Sequence, residues 1–142
     1  MTRTGKPLPT PDRDSEPFWR SVRAGELRLQ RCDACGAWRW PARAVCGRCQ
    51  SFDATWTAVS GMGRVASWVT THQVFAPAYR DAVPYDVVEV VLDEQDDLRM
   101  IGNLVGGAKP VPRMRVRAVC SKVGVSAALV HWEPAHDEGV GG

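Results

Sequence analysis

No stretch of this chain approaches the ~18 consecutive apolar residues that a membrane-spanning helix requires. Met1 to Pro11 lacks the apolar core of a secretory signal, so a cytoplasmic protein with no membrane partner is expected. The signatures of several enzyme classes are also missing: there is no serine-centred nucleophile elbow, no glycine-rich phosphate loop and no HExxH helix. Gly61-Met-Gly is too short for a phosphate loop, and Gly102 to Gly107 follows a strand pattern without opening a helix. Histidine occurs only at 72, 131 and 136, and the sequence shows no carboxylate or nucleophile partner that would make His72 a general base. His72 reads as a polar residue on a rim, His131 as surface or interface, and His136 belongs to a polar tail.

What is present is an ordinary apolar and charged content over 142 residues, which suits one modest domain or two small ones sharing an interface. Arginine outnumbers lysine fifteen to three, and its placement is uneven. From Trp19 to Gln50 seven arginines face only Glu26 and Asp33, a balance of +5. From Ser51 onward eight basic residues meet eleven acidic ones, a balance of −3.

Residues 1–14 are polar and carry Pro7, Pro9 and Pro11, as a flexible arm does. Ser15 is an expected N-cap, Glu16 and Pro17 fit a first turn, Phe18, Trp19 and Val22 fall at helical spacing, and Gly25 stops the helix. Leu27 and Leu29 then alternate with polar neighbours. Beyond Cys49 the texture is strand-like, with candidates near Ala54–Val59, Arg64–Phe75, Asp86–Leu92, Leu98–Val105, Arg115–Val123 and Ala127–Trp132. Glycines, prolines and the acidic turn Asp93 to Asp97, expected as a solvated hairpin tip, separate them. The expected fold is mainly β: a helix and zinc ribbon over 15–51, then a five- to six-stranded barrel of the oligonucleotide/oligosaccharide-binding (OB) type over 52–134, and a disordered tail over 135–142.

The strongest chemical signal is a pair of C-x2-C knuckles, Cys32-Asp-Ala-Cys35 and Cys46-Gly-Arg-Cys49. Each aims two thiolates at one point, and two knuckles complete a tetrahedron around one structural zinc. A four-thiolate centre has no open position, so it does not activate water. Its contribution is folding free energy that a ribbon of roughly thirty residues cannot obtain by burial. Iron in a rubredoxin-like site uses the same ligands, and spacing alone admits both metals. Redox-active C-x-x-C pairs call for a helix N-terminus in an α/β context, which this sequence does not offer. Cys120, mid-strand, reads as a buried small hydrophobe.

A longer pattern surrounds the knuckles. Phe18-Trp19 precedes Leu29-Gln-Arg-Cys-Asp-Ala-Cys-Gly; Pro41 and Arg43 lead to the second knuckle; Val59-Ser-Gly-Met-Gly-Arg-Val, Val83-Pro-Tyr and Gly102-Asn-Leu-Val-Gly follow. In this order and spacing, from about Pro11 to Pro134, the chain resembles the OB-fold proteins with an N-terminal rubredoxin-like zinc ribbon called domain of unknown function 35. Its one departure lies in Ser121 to Val130, which leaves the final hairpin's length open. The resemblance implies a non-catalytic accessory subunit of a thiolase-like enzyme (a thiolase, acyl transferase or retro-aldolase acting on acyl-CoA thioesters) in lipid or steroid metabolism. It also implies relatives fused to hotdog-fold hydratases, and acyl-CoA as a ligand at or near the subunit.

The expected contact surface lies on the helix and ribbon. Trp38 and Trp40 sit between the knuckles, where a ribbon has little interior, and exposed aromatic and arginine clusters are what interface cores are made of. Phe18, Trp19, Arg31, Trp38, Arg39, Trp40, Arg43 and Arg48 are the candidates for contact with a partner or with acyl-CoA. The alternative is a nucleic-acid-binding ribbon/OB module. Against it, Asp86–Leu92 and Leu98–Val105 contain no aromatic residue, and the larger half is net acidic, whereas a single-strand binder needs a basic groove with stacking platforms.

Overall fold

The computed structural model describes residues 7–123 and 127–135. Residues 1–6 of the expected arm, residues 124–126 and the expected tail beyond 135 lie outside the described residues. Helix α1 (Glu16–Arg23) leads into a three-stranded sheet of β1 (Arg28–Cys32), β2 (Trp38–Arg39) and β3 (Ala54–Ala58), in the order β2-β1-β3. A five-stranded sheet follows, made of β4 (Met62–Thr71), β5 (Tyr85–Leu92), β6 (Arg99–Asn103), β7 (Arg115–Val123) and β8 (Ala127–Pro134), in the order β6-β5-β4-β7-β8. The fold is mainly β, and among the described residues no helix is long and apolar enough to cross a membrane.

The entrance to α1 differs from the expected cap. Ser15 occupies the N-cap position, but its hydroxyl accepts the Asp12 N–H rather than bonding a helix donor, and the Asp12 carboxylate accepts the Ser15 N–H at 2.7 Å. Hydrogen bonds to that carboxylate from the Ser15 hydroxyl and then the Ser15 N–H hold it below its ordinary range. Gly25, at φ +85°, ends the helix as expected. Phe18 and Val22 face inward one turn apart and join Leu27, Leu29, Val65, Val88, Val90, Leu92, Leu98, Met100, Val116, Ala128 and Trp132 in a single core. The helix thus packs against the barrel strands, and ribbon and barrel share one interior.

The strand expected to open the barrel, Ala54–Val59, belongs instead to the ribbon sheet. It pairs antiparallel with β1 from Arg28↔Ala58 to Cys32↔Ala54. Five strands remain for the barrel. A bulge between Val65 and Ser67 bends β4. Closure comes from β6 returning to β8: Leu104 bridges Trp132 in parallel, and the Val105 N–H donates to the Trp132 carbonyl at 2.8 Å. Gly102 permits this approach, since a Cβ there would stand 2.9 Å from the Trp132 ring. In the final hairpin β7 and β8 pair from Val116↔Pro134 to Val123↔Ala127, so both strands are long.

The acidic turn is exposed at Asp93, Asp96 and Asp97, as expected of a hairpin tip, but it also bonds to the rest of the chain. Asp93 accepts both terminal nitrogens of Arg115 at 2.8 Å, which holds its carboxyl below the ordinary range, and Glu94 accepts the Ser60 N–H at 2.7 Å. Gln95 reads both backbone groups of Trp38, its carbonyl accepting the N–H at 2.9 Å and its amide donating to the carbonyl at 3.1 Å. Asp97 pairs with Arg48 at 3.1 Å. The β5–β6 turn therefore clamps the ribbon onto the barrel. Gln95→Ala strands two backbone groups at that seam and is expected to cost about 1–3 kcal/mol. Denaturant titration checks this, with hydrogen exchange at Trp38 rising more than at Val90.

Candidate metal centre

The two knuckles are near-copies in backbone as well as sequence. In the first, the Cys32 carbonyl accepts the Gly36 N–H at 2.9 Å and the Cys32 N–H donates to Ala37 at 2.8 Å. In the second, Cys46 accepts from Gln50 at 3.0 Å and donates to Ser51 at 2.9 Å. The residue after each second cysteine turns left-handed, Gly36 at φ +78° and Gln50 at φ +62°. Glycine supplies that conformation in the first knuckle, but in the second the strained position falls on Gln50 rather than on Gly47. Gln50→Gly is expected to stabilise the protein by up to about 1 kcal/mol, read as a higher thermal midpoint with unchanged metal content.

All four Sγ atoms lie within 4.8 Å of one another, with Cys32–Cys49 and Cys35–Cys46 at 3.6 Å. A tetrahedron with Zn–S bonds of about 2.3 Å has edges of about 3.8 Å, so the cage fits one such ion. Cys32 and Cys46 are buried beside Ala37, while Cys35 and Cys49 face outward. The backbone N–H groups of Cys49 and Arg48 pull the Cys46 thiol down to about 6, and the Cys35 N–H lowers Cys32. At Cys49 the Ser51 N–H acts in the same direction, but the Cys32 sulfur, burial and the other two sulfurs outweigh it and push the thiol up to about 12. Cys46 is thus drawn towards the thiolate while Cys49 resists ionisation beside the other sulfurs, the condition a bound cation relieves.

The remaining sequence candidates divide by depth. Phe18, 1% exposed, lies between Trp19 and Trp40, with ring centroids 4.9 and 4.3 Å away. Arg39 is 4% exposed. Both are buried in this chain, which corrects their expected place on its surface. Phe18 turns inward on the helix face that fills the core, and Arg39 is held down by its bond to the Arg43 carbonyl at 2.8 Å. Trp19, Trp38 and Trp40 are half-buried against the core. Arg31 is exposed, 5.1 Å above the Trp38 ring, and Arg43 and Arg48 are exposed on the ribbon. Trp38, Arg39, Trp40, Arg43, Arg48 and Cys46 come together around a cleft of about 200 Å³, whose opposite wall is Gln95, Asp97 and Leu98. Sequence reasoning missed that wall because no local signal links residue 95 to residue 38.

Elsewhere, His72 is exposed just beyond β4, and His131 lines a second cleft of about 230 Å³ with Tyr79, Tyr85 and Asn103. Cys120 packs half-buried against the core, where burial raises its thiol. β5 begins at Tyr85, so that strand does carry one aromatic residue, 5.8 Å from Tyr79. The outer face of β4 to β6 presents exposed Val69 and Ile101 beside Glu89, and Arg99 is tied to Glu89 at 2.8 Å. It is apolar rather than basic.

Comparison with known proteins gives two family matches in tandem. Residues 19–54 match the ChsH2 rubredoxin-like zinc ribbon domain, and residues 56–121 match the ChsH2 C-terminal OB-fold domain. A probable enoyl-CoA hydratase alpha subunit of Thermomonospora curvata is 35% identical over 101 residues, 71% of this chain and 30% of that protein. The 3-oxo-4,17-pregnadiene-20-carboxyl-CoA hydratase alpha subunit of Mycobacterium tuberculosis is 34% identical over 128 residues, 89% of this chain and 39% of that protein. The chain therefore spans about a third of the length of these curated relatives. Among solved structures, a chain of an Ltp2-ChsH2(DUF35) aldolase superposes with a TM-score of 0.80 at 32% identity, over 90% of this chain and 99% of that one. A DUF35 protein from Sulfolobus solfataricus shares the fold, with a TM-score of 0.60 at 14% identity over 87% of this chain and 86% of that one.

Proposed function

Because the chain belongs to the ChsH2 family of rubredoxin-like zinc ribbons joined to a C-terminal OB-fold domain, we propose that it is a non-catalytic accessory subunit. Its partner is a thiolase-like enzyme that cleaves or transfers acyl groups of CoA thioesters. The observation carrying this reading is the likeness, over 99% of that chain, to the component of an Ltp2-ChsH2(DUF35) aldolase. The metal chemistry agrees with it: four thiolates occupy every position of a tetrahedral ion, so the centre holds the ribbon and leaves no site for substrate or water.

In this reading the ribbon supplies the docking surface through exposed Arg31, Arg43 and Arg48 and the half-buried Trp19, Trp38 and Trp40. Large aromatic faces interleaved with guanidinium groups make strong interface anchors. Phe18 and Arg39 act from beneath, Phe18 by seating Trp19 and Trp40. The barrel lies near the partner's substrate entrance, and bond-making groups belong to the partner. The two hydratase relatives carry a further portion that this chain does not span, so a hotdog-fold hydratase is a second companion of the same assembly. The complex works in the cytoplasm.

The tagged chain, used as bait in its native lysate, is expected to retain a thiolase-like protein identified by mass spectrometry. Trp38→Ala together with Arg31→Ala is expected to weaken that retention at least tenfold while the thermal midpoint moves by only a few degrees. Retention of nucleic acid alone, lost at high salt, overturns the proposal.

A further inference from the structure

The ribbon's arginines divide by partner. Arg20, Arg28, Arg48, Arg99, Arg115 and Arg117 each hold a carboxylate. Arg31, Arg39 and Arg43 hold none among the described residues. Arg39 is the extreme case. Its Nη1 donates to the Arg43 carbonyl at 2.8 Å, while Nε and Nη2 are buried without any hydrogen-bond partner. A buried cation without a counter-charge is among the costliest groups a fold can retain.

These three groups lie around the four-cysteine cage. Ala37 and Arg39 are two residues apart in extended chain and so start on one face. Ala37 packs with Cys32 and Cys46, and Arg39 shares its cleft with Cys46. Arg31 donates through Nε to the Gly36 carbonyl of the first knuckle at 3.0 Å. The Arg43 guanidinium lies 3.9 Å from where a Cβ on Gly47 would stand, inside the second. One guanidinium therefore rests against each knuckle, and a third is buried in the cleft that Cys46 lines. Four thiolates around a divalent ion carry a formal charge of −2, in the region where these three cations have no carboxylate. A soluble anion does not answer the same need, because the two orphan nitrogens of Arg39 are sealed from solvent.

We propose that Arg39, assisted by Arg31 and Arg43, is the counter-charge of the metal–tetrathiolate centre and biases the site towards a divalent over a trivalent ion. This inference rests on the four-cysteine cage and stands apart from the docking proposal. A positive charge close by stabilises the −2 state of a bound divalent ion more than the −1 state of a trivalent one, so it favours zinc or ferrous iron over ferric iron. Arg39 is a positioning and charge-balancing residue and touches no substrate.

The test uses the full chain with Arg39→Met and Arg39→Lys. Zinc affinity, measured by competition with a chromophoric chelator, is expected to fall about 10–100-fold in the methionine variant and to recover largely with lysine. With iron loaded in place of zinc, an electrode supplies the single electron that takes the ferric to the ferrous site. The reduction potential is expected to drop in Arg39→Met and return in Arg39→Lys. Arg31→Met and Arg43→Met, both exposed and screened by solvent, are expected to lower it by less. They keep the test decisive should Arg39→Met fail to fold, since unchanged potentials in both overturn the shared counter-charge. Wild-type affinity and potential in Arg39→Met also overturn the proposal. So does a lysine variant as impaired as the methionine one, which assigns Arg39 to its hydrogen bond with Arg43 instead.

Discussion

Replacing Cys46 by serine is expected to empty the metal site and unfold the ribbon, lowering bound zinc from one ion per chain to less than about a tenth. Cys46 is the buried sulfur of its knuckle, the acceptor of the Arg48 N–H and the thiol most ready to ionise. A hydroxyl offers no thiolate and a shorter reach, so the cage loses a ligand and the second knuckle loses its anchor. Structural zinc in small ribbons carries about 10–16 kcal/mol of apparent binding free energy, as much as the whole stability of a typical domain. The consequences are expected to spread unevenly. Residues 31–51 are expected to lose hydrogen-exchange protection outright. The barrel strands β4 to β8 are expected to keep theirs but melt at a lower temperature, because Leu27 and Leu29 of the ribbon side share their core. Elemental analysis and hydrogen exchange check this. A Cys46→Ser protein that keeps one zinc and an ordered ribbon contradicts it.

Trp132→Ala is expected to cost about 3–5 kcal/mol, the largest effect of any single substitution in the barrel. The side chain is fully buried where β6 returns to β8, packed against Gly102, and its removal opens a void at the closure of the barrel. The main-chain bond from Val105 survives, so the loss is one of packing. Trp132→Phe provides the contrast. The indole Nε1 is buried without an acceptor among the described residues, so deleting it also removes an unsatisfied donor, and the net cost is expected to stay near 1 kcal/mol. Urea denaturation of the three proteins measures both differences. Equal losses in the two variants would mean that the indole N–H is satisfied and that its bond, not ring volume, holds the closure.

What the sequence made legible was local. C-x2-C spacing needs only a few residues to aim two sulfurs at one point, and Pro17 and Gly25 mark a helix by their own backbone preferences. The run of valine-rich segments revealed the barrel strands because alternation is a property of each strand alone. The rest depended on partners far along the chain. Ala54–Ala58 looks like any barrel strand until its pairing with Arg28–Cys32 draws it into the ribbon sheet. Asp93 to Asp97 has the composition of a solvated turn, and only the positions of Arg115, Ser60, Trp38 and Arg48 convert it into a clamp. Arg39 carries a charge and was expected outside, yet it is buried with its guanidinium bonded to the Arg43 carbonyl. Gln50 gives no warning of a left-handed backbone, because the knuckle imposes it.

The proposed role is to organise an acyl-CoA-processing partner without performing the chemistry. The most direct measurement is acyl-CoA turnover by the purified thiolase-like partner, alone and with this subunit added, beside the subunit alone. Little or no turnover is expected from the subunit, weak or unstable activity from the isolated partner, and a rise of at least tenfold when the two combine. Full activity in the isolated partner, indifferent to this subunit, would contradict the accessory role. Turnover by the subunit alone would contradict its non-catalytic character.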